Sequence, residues 1–158
     1  VKKPKKPPEP SSARDSALRA LGRREHSAEQ LRRKLESRGY DESTAEEAVG
    51  ELSERGWQSD ARFAEMLIRS RVSQGYGRLY IEGDLRVAGV PDAEASAALE
   101  AADCDWTQAA IDLHARKFGA AAPETMEQRN KQYRYLAGRG FASDQIRKAL
   151  KGAVPNED

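Results

Sequence analysis

The chain has 158 residues, with 27 Lys and Arg against 26 Asp and Glu, a net charge of +1. Charged residues make up 34% of it, while Leu, Ile, Val and Phe together number 25, about 16%. So few large aliphatics exclude a thick core, the 25 alanines favour helix, and an all-β fold is not expected. No run approaches the apolar length of a membrane span, and no segment reads as a secretory signal. The single Cys104 excludes a disulfide framework and a cysteine-rich metal site, and fits a reducing cytosol.

Residues 1–12 combine Pro4, Pro7, Pro8 and Pro10 with Lys2, Lys3, Lys5 and Lys6. Proline removes backbone donors and lysines repel one another, so a flexible basic tail is expected. Beyond it the sequence repeats. Gly39, Gly89 and Gly140 are spaced by about fifty residues and are followed by Tyr40, Val90 and Phe141. Four residues before them stand Leu35, Leu85 and Leu136. After them run Ala45, Ala48, Val49 and Leu52, then Ala95, Ala98, Leu99 and Ala102, then Ile146, Ala149, Leu150 and Ala153. Each set follows the i, i+3, i+4, i+7 spacing of one buried helix face.

Each unit therefore reads as a helix, a glycine turn and a helix, with the glycine in a left-handed position that a Cβ disfavours. A further helix precedes each pair, about 14–24, 60–74 and 106–118. Ser27 with Gln30, Ser43 with Glu46, and Asp105 with Gln108 have capping-box spacing, and Asp60 is placed to cap the helix carrying Phe63, Leu67 and Ile68. Gly119 to Pro123 lengthens the first loop of the last unit. The expected fold is all-α: three tandem three-helix repeats at 13–58, 59–104 and 105–152, then a flexible tail at 153–158. Units this small bury marginal cores, so neighbours must pack into an elongated, curved array of about 70 Å. A radius of gyration near that of a single globule, about 15 Å, would contradict it.

Catalytic chemistry finds little support. His26 and His114 fall in different units, and His26 precedes an N-cap serine, which suits a local capping role. Cys104 has no basic neighbour. Gly75-Tyr76-Gly77 lacks the strand, third glycine and Lys-Ser or Lys-Thr of a phosphate loop, so it reads as a flexible helix–helix turn. No metal-ligand spacing is present, and no cofactor is expected.

Charge is striped along the chain. Residues 11–40 carry eight Lys and Arg against four acids, 41–56 one against six, 62–86 five against three, 91–105 none against five, and 116–151 nine against three. Such a surface can meet both an acidic and a basic partner. A helix-turn-helix reading would set Glu46, Glu47, Glu51 and Glu54, then Asp92, Glu94 and Glu100, against DNA. Phosphate repulsion opposes that; only the last helix, with Arg147, Lys148 and Lys151, suits it. Weak single-strand or non-specific DNA binding stays open, and Tyr76, Tyr80, Tyr133 and Tyr135 could stack on bases or pack helices.

Arg24-Glu25-His26-Ser27, Gln30-Leu31, Lys34-Leu35 and Arg38-Gly39-Tyr40 resemble the first repeat of the RecX regulatory family. The likeness continues through Asp60, Arg62-Phe63-Ala64, Arg69, Arg71, Gly75, Leu85 and Gly89-Val90. It closes on Ala115-Arg116-Lys117-Phe118 and Arg139-Gly140-Phe141, so it covers about 14–152. The sequence departs from the family at Tyr80, where a basic residue often precedes the isoleucine, and at Gly83 inside the same helix.

The resemblance implies a cytoplasmic protein, not an enzyme, that binds RecA recombinase filaments on DNA. It would inhibit their ATP hydrolysis, strand exchange and co-protease activity, and so modulate DNA repair and the SOS response. A monomer with no membrane partner is expected. The basic residues assigned to partner binding are Arg32, Arg33, Lys34 and Arg38, then Arg62, Arg69, Arg71 and Arg78, then Arg139, Arg147, Lys148 and Lys151. Charge reversal at Arg69 and Arg71 is expected to weaken inhibition without moving the melting temperature. The alternative is a helical protein that binds single-stranded or non-specific DNA directly, recognisable by a steep salt dependence.

Overall fold

The computed structural model describes residues 9–152, which form nine helices and no strand. They are α1 (Ser11–Leu21), α2 (Ala28–Ser37), α3 (Glu42–Glu54), α4 (Asp60–Ser73), α5 (Arg78–Val87), α6 (Asp92–Ala102), α7 (Trp106–Phe118), α8 (Met126–Gly138) and α9 (Ser143–Leu150). The expected tails lie outside the described residues at 1–8 and 153–158, but Ser11 and Ser12 do not belong to a tail. Pro10 precedes α1 immediately, and its fixed φ starts the helix there, three residues earlier than expected.

The chain divides into two compact units. The first holds the described residues through Met66 together with Leu85–Ala95; the second holds Leu67–Asp84 and the described residues from Ser96 on. In the first, Leu31 and Leu35 of α2 and Ala45, Ala48, Val49 and Leu52 of α3 bury against Ala13, Ala17 and Ala20 of α1. Three alanines facing aliphatics let the helices approach closely, which is how a leucine-poor sequence still fills a core. In the second, Ala110 and Leu113 of α7 pack with Leu136, Phe141, Ile146, Ala149 and Leu150.

The glycine turns form as the repeat requires. Gly39, Gly89 and Gly140 have φ of 98°, 77° and 96°. The amide of Tyr40 donates to the Leu35 carbonyl at 3.2 Å, Val90 to Leu85 at 3.0 Å and Phe141 to Leu136 at 3.2 Å. The repeated leucine thus closes a Schellman turn, and the residue after each glycine is buried over the helix end. The predicted stripe holds for α3 and for Ile146, Ala149 and Leu150. In α6 only Ala95 and Leu99 are buried; Ala98 is half-buried and Ala102 exposed. Ala153 lies outside the described residues.

Two capping expectations are corrected. The cap of α3 is Asp41, whose carboxylate accepts from the Thr44 amide at 2.7 Å, so Ser43 lies inside the helix. Ser59 Oγ accepts from the Arg62 amide at 3.2 Å, and Asp60 instead accepts from the Ala28 amide at 2.9 Å and from Gln58 at 3.0 Å. Asp60 thus satisfies the first turn of α2 rather than capping its own helix. Ser27 and Gln30 form the full capping box, and Asp105 accepts from Gln108. Gly83 leaves α5 unbroken.

Candidate functional site

The cations singled out in the sequence fall in both units and differ in how free they are. In the first unit, Arg32 sits between Glu29 and Glu36; its guanidinium donates to both Glu29 oxygens and reaches Glu36 at 2.8 Å. The Glu29 hydrogen bond raises the Arg32 pKa further, and the same bond holds the Glu29 carboxyl below its usual range. Arg33 shares Glu29 at 3.1 Å and donates to the Val87 carbonyl at 2.7 Å. Arg38 donates to Ser16 Oγ. Arg62 pairs with Glu25 at 3.0 Å and donates to the Trp57 carbonyl at 2.9 Å. Lys34 is half-buried with no ion pair among the described residues.

In the second unit, Arg71 meets Asp84 at 2.6 Å, and Arg78 meets Glu82 at 2.8 Å and Glu100 at 3.4 Å. Arg69 is exposed but not free. Arg139 donates to the carbonyls of Gln74 and Gly75 and lies 3.8 Å over the Tyr76 ring, which stacks on Tyr80 at 4.0 Å. The Gly77 amide donates to the Arg139 carbonyl at 2.8 Å. The Gly75-Tyr76-Gly77 turn expected to be flexible is therefore tied to α8 by hydrogen bonds and a ring stack. Arg147, Lys148 and Lys151 differ from all of these. They are exposed and make no ion pair among the described residues. They cluster at the α9 C-terminus, where the helix dipole favours positive charge.

The groups considered for catalysis are held structurally. His26 is buried, its Nδ1 is 3.0 Å from the Arg24 carbonyl, and burial lowers its pKa. His114 is buried with Nε2 2.7 Å from Gln132 Oε1. Burial and the neighbouring Asp103 push the Cys104 thiol up, away from the nucleophilic thiolate form. Among the described residues there is no cluster of His, Cys, Asp or Glu that could hold a metal, and no helix long and apolar enough to cross a membrane.

Sequence reasoning missed Trp57. Its indole is 45% exposed, with the Arg14 and Arg55 guanidinium carbons 5.6 and 5.4 Å from the ring centroid. The signal available was the pair Gly56-Trp57, a glycine followed by an apolar residue, which falls off the fifty-residue spacing.

These features define an all-α protein of repeated helix–turn–helix units whose dense chemistry is charged helix surface. Family models described as the first, second and third three-helix domains of RecX match residues 13–52, 59–99 and 103–150 in that order. The chain belongs to the RecX family. It is 44% identical over 135 residues to the regulatory protein RecX of Stenotrophomonas maltophilia strain K279a, covering 85% of this chain and 83% of that one. The same identity and coverage hold for RecX of Xanthomonas axonopodis pv. citri strain 306. The crystal structure of RecX from Lactobacillus salivarius shares the fold, with a TM-score of 0.76 at 22% identity over 90% of this chain and 94% of that one.

Proposed function

We propose that this chain is a negative regulator of RecA recombinase that binds the RecA–DNA filament and inhibits its ATPase, strand exchange and co-protease activities. It acts by binding rather than catalysis, as a cytoplasmic monomer organised in units 13–58, 59–104 and 105–152. The observation that carries this reading is the ordered match of all three RecX three-helix domains along one chain. The charge pattern supports it: acidic α3 and α6 offer carboxylates to a basic surface, and the cations of α9, unpaired among the described residues, offer ammonium and guanidinium groups to an acidic one. Several modest contacts on one chain add through effective concentration.

The test is ATP hydrolysis by preformed RecA–single-stranded DNA filaments as the protein is titrated in. Inhibition well below one molecule per recombinase subunit is expected. Undiminished hydrolysis at saturating protein would overturn the proposal.

A further inference from the structure

The turn that closes α3 uses the same hydrogen bonds as the repeat turns. The Gly56 amide donates to Ser53 and the Trp57 amide to Leu52, each at 3.0 Å. At Gly39, Gly89 and Gly140 the following residue is buried, and at Gly75 the following Tyr76 is covered by Tyr80 and Arg139. Trp57, the largest residue in any of these positions, stays nearly half exposed. An isolated exposed leucine needs no explanation. An indole left out of a turn whose geometry elsewhere covers the ring is different, and cations gather on it. Arg14 and Arg55 lie over the ring, 5.6 and 5.4 Å from its centroid, and Arg62 donates to the Trp57 carbonyl.

We infer that Trp57 with Arg14 and Arg55 is a stacking site for one unpaired base of single-stranded nucleic acid. The guanidiniums that lie over the ring swing out to the phosphates on either side, and the base takes their place on the indole face. Both arginines rest on Glu51, at 3.3 and 3.4 Å, and Arg14 Nε has no acceptor among the described residues. Ion pairs this exposed contribute little, so a phosphate can take the guanidiniums from Glu51. A duplex keeps its bases stacked and presents only phosphates, so the site selects single strands. The inference concerns bare nucleic acid and stands or falls apart from the recombinase.

The test uses the full chain carrying Trp106→Phe, which leaves Trp57 as the sole indole. Its emission is followed at low salt as oligothymidylate is added. Saturable quenching is expected, with much weaker quenching by duplex. A strand of the same length with abasic sites should bind about 5- to 150-fold more weakly, the range for one lost base stack. Trp57→Ala should lose affinity for labelled oligothymidylate by a similar factor, with Trp57→Phe between. Circular dichroism checks that the variants fold; if Trp57→Ala does not, the quenching carries the test alone. Absence of quenching, or equal quenching by the abasic strand, overturns the inference. Emission that responds to recombinase alone and not to DNA also overturns it, and assigns Trp57 to a protein contact.

Discussion

Ser27 Oγ donates a 2.5 Å hydrogen bond to the Ala88 carbonyl while accepting from the Gln30 amide at 3.1 Å. One fully buried hydroxyl thus caps α2 and satisfies the chain just past the end of α5. Ser27→Ala removes the cap and strands a buried carbonyl. The expected loss is about 2–3 kcal/mol, read by urea unfolding. Gln30→Ala breaks the reciprocal bond to the Ser27 amide and an exposed bond from Arg24, and should cost less. Equal losses would mean that the Ala88 contact contributes nothing.

Two glycines separate backbone strain from crowding. Gly56 and Gly89 have nearly the same φ, 74° and 77°. A Cβ on Gly56 meets nothing within 4 Å, whereas one on Gly89 falls 2.4 Å from Glu29 Cβ. Gly56→Ala should therefore cost only the left-handed strain, about 1–2 kcal/mol. Gly89→Ala should cost at least about 1 kcal/mol more, because α2 must move. Comparable midpoints for the two alanine variants would show that the chain absorbs the contact by shifting.

The periodic part of this fold was legible because three copies of one stripe reinforce one another. The stripe fails at two of its alanines: Ala98 and Ala102 lose little by facing water, so an alanine's spacing alone says little about its burial. Capping was ambiguous where two competent residues stand close, as Asp41 and Ser43 do; the Tyr40 turn settles it by where it releases the chain. Among the cations, pairs one helical turn apart, such as Arg32 with Glu36 and Arg78 with Glu82, follow from spacing. Arg71 with Asp84 and Arg62 with Glu25 join different elements, and no local rule finds them. Trp57 lies off the repeat, its glycine between the repeated ones, so periodicity does not mark it.

Stability should fall on mild acidification through His26. Burial lowers its pKa, and the nearby Arg24 and Lys34 charges act in the same direction, against the Arg24 carbonyl and Glu25. The unfolded chain takes up a proton near pH 6.5 that the folded chain resists. The contribution is therefore complete above about pH 6.5 and is lost as pH falls through the folded value. The melting temperature should drop between pH 7.5 and 5.5, and His26→Gln should flatten that slope. Glu29, held ionised by Arg32, adds a separate loss below about pH 4.5. A variant with the wild-type slope would place the titration elsewhere.

The last prediction separates fastened cations from free ones. Arg71 gives its guanidinium to Asp84, so reversing its charge sets two carboxylates face to face. Arg71→Glu should lower the melting temperature as well as any activity, contrary to the unchanged stability expected from sequence. Among the described residues Arg147, Lys148 and Lys151 have no acidic partner to lose. Arg147→Gln with Lys148→Gln should leave the melting temperature nearly unchanged, since only a modest helix-dipole contribution goes with the charges. The same pair should raise the concentration needed for half-inhibition of filament ATP hydrolysis by about tenfold, with a shallower salt dependence. Arg32→Gln is the control on the fastened side: it frees Glu36 and leaves Glu29 only Arg33, so its effect should appear in stability at low salt and fade as salt rises. If the α9 pair inhibits like wild type while Arg32→Gln does not, the contact surface lies on α2 and the freedom of the α9 cations has no bearing on binding.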